Sequence, residues 1–131
     1  MNRTSVSPGR DELTVSTRDE GGCAVLTVVG EIDVYTAAVL RDAMQRLMNR
    51  GRVRLVLDLS GVPFCDSTGL GVLVGGFKHT RARGGSFRLV NVSAHLERVL
   101  RITGLNKVFA VHADVDAAIA ADNADVVHDG I

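Results

Sequence analysis

Two cysteines, Cys23 and Cys65, are the entire thiol content of this 131-residue sequence. They stand far apart and have no metal-ligand partners at useful spacing, which argues against a thiolate metal site or a disulfide framework and fits a reducing compartment. Both read as small buried apolar residues. Histidine is as sparse: His79, His95, His112 and His128 are scattered, and no two stand at i, i+4 as a zinc-type pair requires. They read as solvated or locally bonded. Neither sign of charge is in excess, the formal net charge being +0, so nothing global points to nucleic acid or an anionic membrane. No apolar run is long enough to span a bilayer. Residues 1–10, with Ser5, Ser7, Pro8 and Gly9, lack the apolar core of a signal peptide. A loose N-terminal arm over 1–10 and a cytoplasmic location are the expectation.

Two enzymatic signatures are also missing. A phosphate-cradling loop needs Gly-x-x-x-x-Gly-Lys-Ser/Thr, whereas the turn from Gly61 to Thr68 has no lysine and no second glycine before its hydroxyl. A nucleophile elbow needs Gly-x-Ser-x-Gly, and around Ser67 the first glycine position holds Cys65. The chain is therefore not read as an enzyme, and no catalytic residue, metal ligand or cofactor is assigned.

What is present is the material of one ordinary domain, 46% hydrophobic and 23% charged, able to bury a real core. Leu13–Thr17 alternates as an edge strand and, across the Gly21-Gly22 turn, Cys23–Val29 should pair with it as a hairpin. From Thr36 to Arg50, the residues Ala37, Leu40, Ala43, Met44, Leu47 and Met48 recur at helical spacing, with Met44 and Met48 as core filler. Val53–Leu59 is apolar on one face and nearly so on both, the mark of a strand inside a sheet. Gly61 and Pro63 break it. Leu70, Leu73, Val74 and Phe77 then fall on one helical face, with Asp66 or Ser67 as the N-cap. Lys78, Arg81 and Arg83 close that helix as a solvated last turn, with docking as the second reading. Ser86–Val92 reads as a strand, Ser93 as the cap of a helix stopped by Gly104, Val108–Val111 as a short strand and Asp114–Ala121 as a last helix. The expected boundaries are 11–121 for the single domain and 122–131 for a frayed acidic tail. Helices alternating with strands behind an opening hairpin give a mixed-sheet α/β fold, an antiparallel edge on an otherwise largely parallel sheet.

Gly69, Gly71, Gly75 and Gly76 each cost a helix interior about 1 kcal/mol relative to alanine. Close packing against the sheet is one reason for them and a surface that a partner must approach closely is the other, and spacing does not separate the two.

The segment Phe64-Cys65-Asp66-Ser67-Thr68-Gly69-Leu70-Gly71-Val72-Leu73 closely resembles the phosphorylation-site motif of the anti-sigma factor antagonists, the STAS-domain family, in which Asp-Ser-(Ser/Thr)-Gly-Leu-Gly opens a helix. Gly30-Glu31-Ile32-Asp33 resembles that family's second motif at a strand end. The likeness runs from about Leu13 to about Ala120. It implies a STAS fold, a phosphorylated Ser67, a structural Thr68, and a partner-binding surface of Asp33, Asp66, Ser67, Thr68, Gly69 and Gly71. It also implies a partner that is an anti-sigma factor with serine kinase activity and a serine phosphatase that resets the switch. The free chain is expected to be monomeric. A phosphorylation-independent scaffold or transporter-associated STAS module is the alternative.

Overall fold

The computed structural model describes residues 12–129, with side chains from 12 to 126. The chain opens with β1 (Thr14–Glu20) and β2 (Cys23–Val29), antiparallel in a register that pairs Thr14 with Val29 and Glu20 with Cys23. The two-residue loop between them has both glycines at positive φ, Gly21 at 59° and Gly22 at 86°. That is the conformation whose twist matches a tight hairpin. Helix α1 (Ala37–Asn49) follows, then β3 (Arg54–Gly61), α2 (Ser67–Ala82), β4 (Ser86–Val90), α3 (Ala94–Thr103), β5 (Ala110–His112) and α4 (Val115–Asp129). The five strands lie side by side in chain order, and β2 through β5 are parallel. The expected mixed sheet with one antiparallel edge is what forms.

Strand alternation divides the core. Leu26, Leu55, Leu57 and Leu89 face one side, where α1 supplies Leu40, Met44 and Met48, α2 supplies Val72 and Leu73, and α3 supplies Leu96 and Leu100. Val25, Val56 and Val90 face the other, where Cys23, Ala118, Val115 and Ile119 complete a smaller cluster. Three helices cover one face, and α4 covers the second.

Several boundaries move for identifiable reasons. The first strand starts at Thr14 and runs on to Glu20, because the hairpin ladder extends to the glycine loop. Gly61 continues β3 instead of breaking it: it pairs with Val29 past an irregularity in the ladder, and an added Cβ would meet Val29 and the Val28 carbonyl at 3.0 and 3.1 Å. β4 stops at Val90, where Asn91 takes a positive φ of 56°. β5 begins at Ala110 because Leu105–Lys107 forms a 3-10 turn and the Leu105 carbonyl accepts from both Val108 and Phe109. Arg83 docks rather than facing water alone, donating through Nη1 to the Met48 carbonyl at 2.9 Å, and Arg81 lies over the Phe77 ring.

The largest correction concerns the end of the chain. Asp122, expected to open a frayed tail, lies inside α4 and is 1% exposed. Its carboxylate accepts from Arg54 Nε at 2.6 Å, Arg88 Nε at 3.2 Å, Ser86 Oγ at 2.5 Å and, more weakly, Cys23 Sγ at 3.4 Å. An acidic residue carried by such a set of donors is a fastener.

Candidate functional site

The end of β3 and the start of α2 meet the end of β2 at one corner of the sheet. Asp66, with φ −88° and ψ −173°, is the N-cap of α2, and its Oδ1 accepts from Gly69 N at 2.9 Å. This is the capping geometry that the sequence predicts. Ser67 follows as the first helical residue and is exposed, as is Thr68. The opening turn of α2 directs its backbone N–H groups, the positive pole of the helix dipole, toward that corner.

The neighbouring loop is stitched to this turn through its backbone. Ile32 bridges Cys65 in parallel fashion: Ile32 N donates to Phe64 O and Asp66 N donates to Ile32 O, both at 3.0 Å. Val34 N then donates to Asp66 Oδ2 at 3.2 Å. Asp33 therefore belongs to the segment beside the α2 start, but its carboxylate is engaged by its own turn. Asp33 Oδ1 accepts from Tyr35 N at 2.9 Å and Thr36 N at 3.0 Å, and the Asp33 carbonyl accepts from Ala37 N to begin α1. The buried Thr36 hydroxyl donates to Glu31 O at 2.7 Å and locks the turn from inside.

This turn carries what reading the residues in order did not reveal. Tyr35 is 81% exposed, Val34 62% and Phe64 40%, the last stacked on His95 with ring centroids 5.7 Å apart. These exposed side chains lie on the two segments that meet at the start of α2. The available signal was that Val34 and Tyr35 lie outside the helical stripe of α1 and outside any strand alternation.

The four glycines of α2 separate into two kinds. A Cβ on Gly69 would meet Cys65 Sγ at 2.6 Å and Ile32 Cγ2 at 2.7 Å, and one on Gly76 would meet Phe87 at 2.7 Å and Met44 Sδ at 2.9 Å. Gly71 and Gly75 have open space. The buried stripe of α2 is accordingly Gly69, Val72, Leu73, Gly76 and Thr80, whereas Leu70, Val74 and Phe77, expected to line it with Leu73, are half-buried. Gly71 and Gly75 instead border a groove of about 300 Å³ between α1 and α2, together with Thr68, Arg41, Met48 and His79. Gly71→Ala should therefore stabilise the domain by about 1 kcal/mol through helix propensity. Gly69→Ala should destabilise it by roughly 1–3 kcal/mol through overpacking. Thermal unfolding of the two variants checks this, and equal effects would refute the division.

Beside the cap, burial, with the Asp66 charge adding to it, pushes the Cys65 thiol up to about 12, so the sulfur stays protonated at neutral pH and offers no nucleophile. Among the described residues no group of three or more His, Cys, Asp and Glu side chains is placed to hold a metal ion, and no helix is long and apolar enough to cross a membrane.

Comparisons with known proteins agree with this arrangement. The family model described as STAS domain matches residues 14–118. The anti-sigma-B factor antagonist of Bacillus subtilis strain 168 is 42% identical over 94 residues, 72% of this chain and 85% of that protein. The anti-sigma-F factor antagonist RsfB of Mycobacterium tuberculosis is 33% identical over 109 residues, 83% of this chain and 88% of that protein. Among solved structures, that of an anti-sigma factor antagonist from Mycobacterium paratuberculosis superposes with a TM-score of 0.77 at 31% identity, covering 89% of this chain and 97% of that one.

Proposed function

The chain belongs to the STAS-domain family, and from that premise we propose that it is an anti-sigma factor antagonist switched by phosphorylation of Ser67. In the unmodified state it binds an anti-sigma factor that is also a serine kinase, and the sigma factor is set free. The observation that carries this reading is the exposed Ser67 at the first position of α2, immediately after the Asp66 cap that also binds the Val34–Tyr35 turn. Relatives named as antagonists of anti-sigma factors support it. The role is regulatory binding, and the chain contributes no catalytic group of its own.

In the modifying step the Ser67 oxygen attacks the γ-phosphorus of ATP held by the kinase. The new O–P bond replaces the bond to the β–γ bridging oxygen, ADP leaves, and the hydroxyl proton passes to a base on the kinase. A serine phosphatase reverses the state by hydrolysis, with water supplying the oxygen that leaves as inorganic phosphate. Around the acceptor, Asp66 fixes the helix start, Asp33 acts through the turn it holds, and Gly69 lets Ile32 and Cys65 approach. Thr68 and Gly71 line the adjoining groove.

The test is to incubate the purified chain with its cognate anti-sigma kinase and ATP, then map the modification by mass spectrometry. One phosphate on Ser67, accompanied by dissociation of the complex, is the expected result. A phosphate on Thr68 alone, or dissociation without modification, would remove Ser67 from the role.

A further inference from the structure

The Asp66 carboxylate serves two segments of chain at once. Oδ1 caps α2 at Gly69 N, and Oδ2 reaches across to Val34 N, thirty-two residues earlier in the sequence. Ile32 anchors the start of this segment through its backbone bonds with Phe64 and Asp66, and α1 anchors its end. Beyond Ile32, the Val34 bond to Asp66 is the described hydrogen bond that ties the tip to the α2 start. Tyr35 is 81% exposed, and the bonds of Asp33 and Thr36 stay within the turn and the first turn of α1. With the ends of the segment held at Ile32 and α1, the local pose of Val34 and Tyr35 beside Ser67 is the part that depends on the bridge from Asp66. We propose that Asp66 is the positioning residue that sets the Val34–Tyr35 tip beside Ser67 for the partner, and that phosphate on Ser67 acts in part by drawing Asp66 off Val34. This rests on the Ser67 switch proposed above and adds how the modification is read.

The physical argument concerns competition at one helix start. A phosphoryl group on Ser67 brings about −1.5 to −2 charges to the residue adjoining the Asp66 carboxylate, together with three strong acceptor oxygens aimed at the same first-turn N–H groups. Two anions in one place cannot both keep every donor. Asp66 has a part-buried bond of 2.9 Å to Gly69 and an exposed one of 3.2 Å to Val34. The longer, solvent-open bond is the one displaced, because water replaces it at small cost. The tip then loses its fixed pose, and its apolar side chains no longer meet the partner preorganised.

The chain contains its own reporter, since Tyr35 is the single tyrosine and there is no tryptophan. Asp66→Asn separates the two bonds: the asparagine Oδ1 still caps Gly69, while its amide NH₂ cannot accept from Val34 N. The full-length unmodified variant should show faster exchange of the Val34 amide, lower Tyr35 fluorescence anisotropy and about fivefold weaker binding to the anti-sigma kinase, the worth of one hydrogen bond. Wild-type protein carrying phosphate on Ser67 should show the same Val34 and Tyr35 changes, and phosphorylating Asp66→Asn should add nothing at those two residues. A residue that merely stabilised the fold would not make the Tyr35 signal respond to phosphate. If the mass rises by one phosphate on Ser67 and binding is lost while Val34 and Tyr35 keep their unmodified signals, this proposal is overturned and the switch stands. If Ser67 takes up no phosphate, the switch falls, and this reading of it falls with it.

Discussion

Replacing Asp122 by alanine is expected to destabilise the domain by about 3–5 kcal/mol, the range for removing one partner of a buried ion pair. The carboxylate is 1% exposed and Arg88 8% exposed, so solvent screens their interaction little. Without Asp122, the Arg54 guanidinium keeps Asn123, and that of Arg88 keeps the more exposed Asp125 and the imidazole of His112. Neither replaces a buried anion. Because α4 covers the second sheet face with little more than Val115, Ala118 and Ile119, loss of the fastener should loosen the whole helix. Urea unfolding followed by far-UV circular dichroism measures the effect, and a loss below about 1 kcal/mol would show that the hydrogen-bond set counts for little.

The same carboxylate gives the domain a pH dependence. Burial alone would raise the Asp122 carboxyl, but hydrogen bonds from Ser86, Arg54, Arg88 and Cys23 outweigh it and hold it below the usual carboxylate range. Asp58 is similarly held low: burial opposes ionisation, but donation from Asn91 and Ser60 prevails. A carboxyl whose folded pKa is depressed binds fewer protons than it does in the unfolded chain, so its stabilisation is complete above the unfolded value. It is lost as pH falls below about 4 and through the lower folded value. Wild-type melting temperature should therefore fall across that acid window, and Asp122→Ala should fall less steeply over it.

Ser67→Ala is expected to abolish release without abolishing binding. Two phosphate charges facing one partner carboxylate at about 6 Å cost roughly 1.4 kcal/mol in water and several times that where solvent is partly excluded, which is tenfold or more in affinity. With ATP present, the wild-type complex with its anti-sigma kinase should weaken by at least that factor, while the Ser67→Ala complex should keep its ATP-free affinity. Ser67→Asp, with a single charge, should bind weakly without ATP. The domain itself should tolerate either change, because Ser67 is exposed and an anion at a helix N-terminus is favoured by the dipole. Titration of both variants with and without ATP decides the matter: equal ATP-induced weakening in wild type and Ser67→Ala would rule out Ser67 as the switch.

The strand–turn–helix junction around Asp66 was legible in the sequence because its determinants are local. Alternation in β3, a cap followed by a helical stripe, and a glycine loop between two strands are each set by residues within one element. The end of α4 was not legible, because its continuation past Ala121 depends on Asp122 meeting Ser86, Arg88 and Arg54, partners 34 to 68 residues away. Composition there suggested only an acidic tail. On α2 spacing could not tell which glycines serve close packing. Gly69 and Gly76 do, as contact surface made of backbone facing Ile32 and Cys65 in one case and Met44 and Phe87 in the other, while Gly71 and Gly75 have open space. The sequence placed the helix start at Asp66 or Ser67, and Asp66 is the cap with Ser67 as the first helical residue. The bond that brings Val34 to Asp66 spans two separate segments, and nothing in either segment alone announces it.

Because the five strands lie in the sheet in the order in which they occur in the chain, each new strand can add to the growing edge without waiting for a later one to be threaded between earlier pairs. Such assembly keeps loop closures short and lets folding follow synthesis, the hairpin first and each parallel strand after its covering helix. α4 comes last. Any species in which α4 is undocked would leave Val25, Val56 and Val90 on an open sheet face beside Arg54 and Arg88 without their Asp122 partner, an apolar surface prone to association.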